Sequence, residues 1–205
     1  MSVAPETGMS PAEYLAAENA STEKHEYVNG QIYAMSGGTP THARVMFNAG
    51  RTLAARFEPG CMVFSSDLRI RVPETEMYTY PDVAMVCGRA ELDPRDRTAV
   101  LNPSVLVEVL SPSTAGYDRG AKFAHYRHIS SLRHYVVIDG DQGAVEVFTR
   151  REDGTWAVEF SEETGTFGVL GERLPVAELW LGLELLGEPP ADRDARRPAP
   201  QAAGR

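Results

Sequence analysis

The chain has 205 residues, of which 42% are hydrophobic, and this is enough for one domain with a sizeable core. Its formal net charge of −9 argues against a protein that coats nucleic acid with a basic surface. The sequence contains no apolar run near the ~20 residues of a membrane-spanning helix, and it does not begin like a signal peptide. We therefore expect a cytoplasmic protein that does not enter the membrane.

The two cysteines, Cys61 and Cys87, are too few for a disulfide framework. Neither lies in a CxxC motif or beside a histidine, which makes a zinc site improbable. We expect them to be two buried structural thiols, since free cysteine is among the most frequently buried residues.

The chain is expected to form a single domain over residues 10–186, between a loose leader (1–9) and a disordered tail (187–205). The domain begins with a helix that starts at the capping box Ser10-Pro11-Ala12-Glu13. A hairpin turning at Asn29-Gly30 follows.

Helical periodicity and apolar runs predict the remaining elements. The expected helices cover residues 40–57, 117–129 and 176–186. A strand is expected over residues 68–72, where apolar residues alternate with Arg69 and Arg71, so that one of its faces would be wet. The polar stretch 88–103 is expected to be a loop. Further strands are expected at residues 62–64, 83–86, 105–110, 134–138, 144–149, 156–160 and 167–170.

A carboxylate inside a predicted apolar strand is the first indication of a functional site. Glu108 interrupts the run Val105–Leu110, where an ionised acid costs several kcal/mol unless it is paired or bound to metal. Asp82 stands at the mouth of another short strand. If these strands are neighbours, the two acids meet at one end of the sheet and provide the oxygen ligands that Mg²⁺ or Mn²⁺ prefers.

Lys122 is one of only two lysines among twenty basic residues. Asp118, Lys122 and Tyr126 have i, i+4, i+8 spacing on one helix face. If that helix folds back over the Glu108 strand, the ammonium could orient an attacking water, and Glu26 could supply a third acid. In the alternative interpretation, Asp82 only ends a strand, and Glu108 and Lys122 belong to structural ion pairs.

At this point several motifs resemble those of a known family. They are Pro81-Asp82, Val107-Glu108-Val109-Leu110-Ser111-Pro112-Ser113, Asp118-Arg119-Gly120-Ala121-Lys122, Tyr126, His134-Tyr135-Val136-Val137-Ile138-Asp139, His25-Glu26-Tyr27-Val28-Asn29-Gly30 and His42. The set resembles the Uma-two restriction-endonuclease family of the PD-(D/E)xK nuclease superfamily, from about Ser10 to Trp180.

The resemblance implies an α/β fold, in which helices flank a restriction-endonuclease-like mixed central sheet with additional hairpins. It implies metal-dependent hydrolysis of phosphodiester bonds. Asp82 and Glu108 would be the metal ligands, Lys122 the catalytic lysine and Glu26 the acid contributed early in the chain. The sequence departs from the basic motif in having Leu110, not lysine, two residues after Glu108, so that the lysine would come from the following helix.

These observations predict a Mg²⁺- or Mn²⁺-dependent endonuclease that acts on DNA. A homodimer is expected by analogy with enzymes that cut both strands, with the turn at residues 139–143 as a possible pairing element. A catalytically silent nuclease-fold module for binding nucleic acid or protein is the alternative, which the acidic ends of the chain favour. Candidates for contacts with the DNA backbone are Arg44, Arg51, Arg69, Arg71, Arg119 and Arg127.

Overall fold

The computed structural model describes residues 8–35, 37–112 and 114–186. The predicted tail and most of the predicted leader lie outside these residues. Met9, at the end of that leader, is held against the domain by two hydrogen bonds. Its N–H donates to the Gly30 carbonyl at 2.9 Å, and its carbonyl accepts from the Tyr27 hydroxyl at 2.8 Å.

The helices begin where the sequence predicts. Helix α1 spans Pro11–Ala20 and has the full capping box, since the Ser10 and Glu13 side chains each accept a hydrogen bond from the other's backbone N–H. Helix α2 spans Pro40–Phe57, and the Thr39 hydroxyl accepts a hydrogen bond from the His42 N–H at 3.1 Å.

The predicted helix over residues 117–129 is present as a continuous helical segment that ends three residues early and contains a π-helical turn. Its parts are α3 (Ala115–Tyr117), the π-helical turn (Asp118–Lys122) and α4 (Phe123–Tyr126). The predicted closing helix over 176–186 is wrong, because its two halves form 3₁₀ turns on either side of Gly182, which has φ of 84°. A positive φ is incompatible with a continuous right-handed helix.

The strands form two larger sheets and one hairpin. They are β1 (His25–Val28), β2 (Gln31–Ala34), β3 (Cys61–Ser65), β4 (Arg69–Val72), β5 (Met77–Thr79), β6 (Val83–Cys87), β7 (Ala99–Val100), β8 (Val105–Val109), β9 (His134–Asp139), β10 (Ala144–Arg150), β11 (Trp156–Glu162), β12 (Thr166–Val169) and β13 (Glu172–Pro175). The expected loop over residues 88–103 thus contains the short strand β7, and a 3₁₀ turn at Pro73–Thr75 joins β4 to β5.

The central sheet is mixed and has the order β11-β10-β9-β8-β6-β3, with β8 and β9 parallel and the other pairs antiparallel. The second sheet has the order β2-β1-β5-β4-β7, and β12 pairs with β13. This architecture confirms the predicted α/β class with a mixed central sheet, flanking helices and extra hairpins.

The central sheet is covered on both faces. On one face, Val107 and Val109 of β8 pack in a cluster with Val45 and Leu53 of α2 and with the C-terminal segment. On the other face, Leu106 packs with residues of the second sheet and of α4. Because side chains alternate along a strand, Glu108 lies on the Leu106 face and is directed into the space between the two sheets.

The expectation of a wet face on β4 is wrong. Arg69 and Arg71 are 6% and 7% exposed, and they form ion pairs with Asp96 and Asp93 of the segment between β6 and β8. The Arg71 guanidinium lies 2.7 Å from Asp93, which also accepts a hydrogen bond from the Tyr78 hydroxyl. The acids that pair with these arginines are distant from them in sequence, so the alternating pattern of β4 alone could not reveal the ion pairs.

Arg71→Met is therefore expected to lower the free energy of unfolding by about 3–5 kcal/mol, because it leaves the fully buried Asp93 carboxylate without its cation. Urea denaturation measures the change. Arg51→Met is the matched control, since Arg51 is exposed on α2 and should cost no more than about 0.5 kcal/mol. Equal losses in the two variants would contradict this account of the pair.

The expectation of two free thiols is also wrong. Cys61 and Cys87 are joined by a disulfide with an S–S distance of 2.10 Å. The reason is the antiparallel register of β3 and β6, which places Cys61 directly opposite Cys87 although 26 residues separate them in sequence.

No helix among the described residues is both long and apolar enough to cross a membrane.

Candidate active site

The two predicted metal ligands lie side by side at one end of the central sheet. Strands β6 and β8 are antiparallel, and Val83 is the register partner of Val107. One residue further toward the sheet end, this register places Asp82 opposite Glu108. Directly opposed residues have Cβ atoms about 5 Å apart, so the expectation that neighbouring strands bring the two acids together is met.

Asp82 is fixed by the backbone of β8. Its Oδ2 atom accepts a hydrogen bond from the Val109 N–H at 2.7 Å. The same oxygen lies 3.3 Å from Nε2 of His42, which also lies 2.9 Å from the Val109 carbonyl oxygen. The hydrogen bond to Asp82 raises the pKa of His42, and burial opposes this shift. Asp82 Oδ1 makes no hydrogen bond with the described part of the chain.

Glu108 is 4% exposed, and both of its polar contacts within the described structure are made by the same oxygen. Oε1 accepts a hydrogen bond from the Tyr126 hydroxyl at 2.8 Å and lies 2.9 Å from the Lys122 ammonium. Within the described residues Oε2 has no hydrogen-bond partner. The site acids Asp82 and Glu108 thus each have one oxygen bound by protein and one free.

Lys122 lies among three carboxylates. Its ammonium is 3.0 Å from Glu26 Oε1, 2.9 Å from Glu108 Oε1 and 3.7 Å from Asp118 Oδ1. The π-helical turn places Asp118 and Lys122 on the buried side of the segment, and such turns are frequent at functional sites. Glu26 also accepts a hydrogen bond from the Thr79 hydroxyl. The structure therefore brings Glu26, Glu108 and Lys122 into direct contact.

Burial dominates the ionisation of this cluster. It raises the pKa of Glu108 to about 8, with smaller contributions in the same direction from Asp82 and Asp118 and an opposing one from the Lys122 ammonium. Burial alone would lower the pKa of Lys122, but Glu108, Glu26 and Asp118 together raise it well above its usual value. Lys122 is therefore a fixed positive charge and not a base at neutral pH.

A structural ion pair does not account for the whole cluster. Lys122 and Glu108 do form the pair that the alternative interpretation expects, but Glu26, Asp118 and Asp82 lie around the same ammonium or beside the same acid. One ammonium faces more acidic groups than it can neutralise, and the raised pKa values of Glu108 and Asp118 mean that protons carry part of this charge in the metal-free protein. A divalent cation at Asp82 and Glu108 would take the place of the proton on Glu108.

These groups line one cleft with a volume of about 720 Å³. It lies between the β1–β2 hairpin, the beginning of α2, the ends of β6 and β8, and the π-helical turn. We call it the acidic cleft, and the residues that define it here are Glu26, Tyr33, His42, Asp82, Glu108 and Lys122. Gly140 and Asp141 also line it, so the turn at residues 139–143, the expected pairing element, borders the site.

The oxygen ligands at this end of the sheet are few. The described residues contain no group of three or more His, Cys, Asp and Glu side chains arranged to hold a metal. Mg²⁺, however, usually keeps several waters and binds through one or two carboxylates. Asp82 and Glu108, with one free oxygen each, fit this mode and could hold Mg²⁺ or Mn²⁺.

The arginines predicted to contact DNA are not in the cleft. Arg69 and Arg71 are buried in ion pairs, which rules them out. Arg119 is bound to Asp139 and Glu146, and Arg44 donates to the Leu181 carbonyl. Arg51 and Arg127 are exposed outside the cleft, whose described lining contains no arginine.

Some site residues escaped the sequence analysis. Thr79, which holds Glu26, carries no recognisable signal, because a threonine in a short strand is ordinary. His42 was noticed only through the family resemblance, although its position at the start of α2 gives it a reach into the site. Tyr117 and Tyr33 line the cleft and were missed entirely.

The pKa of Glu108 is raised above its value of 4.5 in the unfolded chain, so the folded protein binds the carboxyl proton more tightly than the unfolded chain does. The contribution of this proton to stability is complete below about pH 4.5 and is lost as the pH rises toward about 8. We expect the free energy of unfolding of the metal-free native protein to fall more steeply over this range than that of Glu108→Gln, which cannot ionise at this position. Urea denaturation at a series of pH values measures both slopes; parallel slopes would contradict the raised pKa.

The fold and the site together define a class of α/β proteins in which a mixed sheet presents carboxylates and a lysine at one end. A crystal structure described as that of a "putative nuclease belonging to DUF820" from Anabaena variabilis has the same fold, with a TM-score of 0.68 over 84% of this chain and 97% of that chain, at 17% sequence identity.

The chain belongs to the Uma2 family, whose model is described as "Putative restriction endonuclease" and matches residues 11–184. Two relatives come from Synechocystis sp. The uncharacterized protein slr1290 is 39% identical over 76% of this chain and 81% of its own length. The uncharacterized protein sll1609 is 37% identical over 72% of this chain and 84% of its own length.

Proposed function

We propose that this protein is a Mg²⁺- or Mn²⁺-dependent endonuclease that hydrolyses phosphodiester bonds in DNA. The observation that carries the proposal is the position of the Lys122 ammonium, 3.0 Å from Glu26 and 2.9 Å from Glu108, in the cleft that Asp82 also lines. Membership of a restriction-endonuclease family supports the reaction class.

Asp82 and Glu108 would hold the metal ion through their free oxygens. When bound, a divalent ion polarises a phosphate oxygen and generates hydroxide from water at neutral pH. The protein contributes the geometry: the Val109 N–H fixes Asp82, and the Tyr126 hydroxyl fixes Glu108. These hydrogen bonds keep both carboxylates at the cleft and determine which oxygen of each is free.

Lys122 would donate hydrogen bonds to the attacking water or to the phosphate, since its raised pKa keeps it protonated. Glu26 would help to hold the ammonium in place and would itself be fixed by Thr79. In this proposal Glu26 acts on the reaction through Lys122.

One observation favours a second candidate, a module that binds nucleic acid or protein without cleaving it. The described lining of the acidic cleft has no arginine to attract a polyanion. We retain the enzyme as the first candidate because a binding module has no need of buried acids around a buried lysine, an arrangement that is costly to maintain.

The test combines Mn²⁺ calorimetry with cleavage of supercoiled plasmid and of short DNA oligonucleotides. The native protein is expected to bind Mn²⁺ and to cleave, whereas Glu108→Ala is expected to do neither. Absence of Mn²⁺ binding and of cleavage in the native protein would overturn the proposal in favour of the non-cleaving module. We also propose a homodimer, the commonest symmetric assembly of soluble proteins, to be checked by light scattering.

A further inference from the structure

The wall of the acidic cleft that faces the site acids is apolar and aromatic. It is formed by the β1–β2 hairpin and includes Val28, Tyr33, Ala34 and Met35. Tyr33 is 50% exposed on β2, an edge strand, and the cleft lining includes its side chain. A half-exposed aromatic ring at the wall of a reactive cleft is a surface on which a planar group can stack.

Tyr33 is directly connected to the reactive groups through the sheet. In the β1–β2 register Tyr33 is the partner of Glu26, whose carboxylate contacts the Lys122 ammonium. Partners across neighbouring strands have Cβ atoms about 5 Å apart on the same face. A group stacked on Tyr33 would therefore lie next to Glu26 and Lys122.

The size and charge of the cleft indicate what kind of nucleic acid enters it. Its volume of about 720 Å³ is in the range of small-molecule sites. Duplex DNA is usually held through many cationic contacts to its phosphates, and the described lining of the cleft provides no arginine for them. An unpaired base can in addition stack on an aromatic ring, which contributes about 1–3 kcal/mol per base and which a base paired inside a duplex cannot do.

We infer that the hairpin wall around Tyr33 is a subsite for the base of an unpaired nucleotide, which stacks on the Tyr33 ring while its phosphate lies at the Asp82–Glu108 end of the cleft. This inference rests on the proposed function and narrows its substrate to single-stranded or locally unpaired DNA. Tyr33 acts as a residue that determines specificity.

Binding of a fluorescently labelled single-stranded DNA oligonucleotide, followed by anisotropy with Ca²⁺ in place of Mg²⁺, tests the subsite without requiring cleavage. Gel electrophoresis of each sample verifies that the oligonucleotide is intact. Tyr33→Ala is expected to weaken binding by about 5- to 150-fold, which corresponds to the stacking of one base. Tyr33→Phe keeps the ring and should bind within about twofold of the native protein.

Ile32→Ala is the matched control. Ile32 neighbours Tyr33 on the same exposed strand and is 45% exposed, but it lies on the opposite face and is not part of the cleft lining. It should leave binding unchanged. A second oligonucleotide with abasic sites in place of bases should bind the native protein and Tyr33→Ala equally, since it has nothing to stack.

The subsite is overturned if the native protein does not bind the single strand. It is also overturned if Tyr33→Ala and Ile32→Ala behave alike, if the effect of Tyr33→Ala persists with abasic DNA, or if duplex DNA binds as tightly and depends equally on Tyr33. The proposed function fails separately. Binding of the single strand that depends on Tyr33, without any cleavage in Mg²⁺ or Mn²⁺, would support the subsite and refute hydrolysis. Cleavage of duplex DNA that does not depend on Tyr33 would support hydrolysis and refute the subsite.

Discussion

Lys122→Met is expected to lower the rate of DNA hydrolysis by about 10²–10³-fold, the usual cost of removing one positioned donor from a reacting centre. The free oxygens of Asp82 and Glu108 remain in this variant, so Mn²⁺ binding should persist. The rate is measured at saturating Mn²⁺ and substrate, and calorimetry on the same preparation measures the binding. Loss of rate with retained metal is the pattern that distinguishes a catalytic lysine.

The same change should also destabilise the protein, because Lys122 is the cation between Glu26 and Glu108, and all three side chains are buried. Breaking a buried ion pair typically costs about 3–5 kcal/mol, so the assays must be run where denaturation curves show the variant to be folded. Lys24→Met is the control, since Lys24 is the other lysine of the chain and pairs with the exposed Asp67. A folded Lys122→Met variant with the native rate would refute the catalytic role.

Asp82→Asn and Glu108→Gln are each expected to lower the hydrolysis rate by about 10³-fold or more. Each change removes a negatively charged ligand from a pair, and a catalytic metal ion contributes several kcal/mol to the barrier, with about 1.4 kcal/mol for each factor of ten. Both variants should also lose Mn²⁺ binding in calorimetry, in contrast to Lys122→Met.

Asp141→Asn is the matched control for these two variants. Asp141 is an acid at the rim of the same cleft, but it is exposed and no ion pair holds it in the described structure. Its replacement changes the charge of the cleft by the same amount without touching the candidate ligands, so the rate should remain within a few-fold of the native value. Loss of activity in Asp141→Asn equal to that in Asp82→Asn would point to the overall charge and not to ligation.

The central strand and its acid could be predicted because they depend on local sequence. Glu108 interrupts an apolar run, and an acid in such a run requires a partner wherever the strand lies in the sheet. The meeting of Asp82 with Glu108 needed one further assumption, that β6 and β8 are neighbours, and the structure supplies it. The capping box of α1 and the Asn29-Gly30 hairpin were predictable for the same reason: their determinants lie within four residues.

The errors at Arg69, Arg71, the two cysteines and the hairpin wall concern contacts between residues that are distant in sequence. Arg69 and Arg71 appeared to face water because their acidic partners, Asp96 and Asp93, come from a segment whose path the sequence does not reveal. The pairing of Cys61 with Cys87 depends on the register of two strands. The hairpin wall was missed because Tyr33 gains its significance only from lying opposite Glu26.

The absence of arginine from the described lining of the acidic cleft affects how fast the protein would encounter its substrate. Most proteins that act on nucleic acid attract it over a distance, and salt slows their association by screening that attraction. Here a chain with a net charge of −9 carries several acids in the described lining of its cleft, so that the long-range force on DNA is repulsive. Salt screens this repulsion, so the association of the protein with DNA should become faster as the ionic strength rises. Such a protein would find its substrate by chance collision and would retain it through short-range contacts alone.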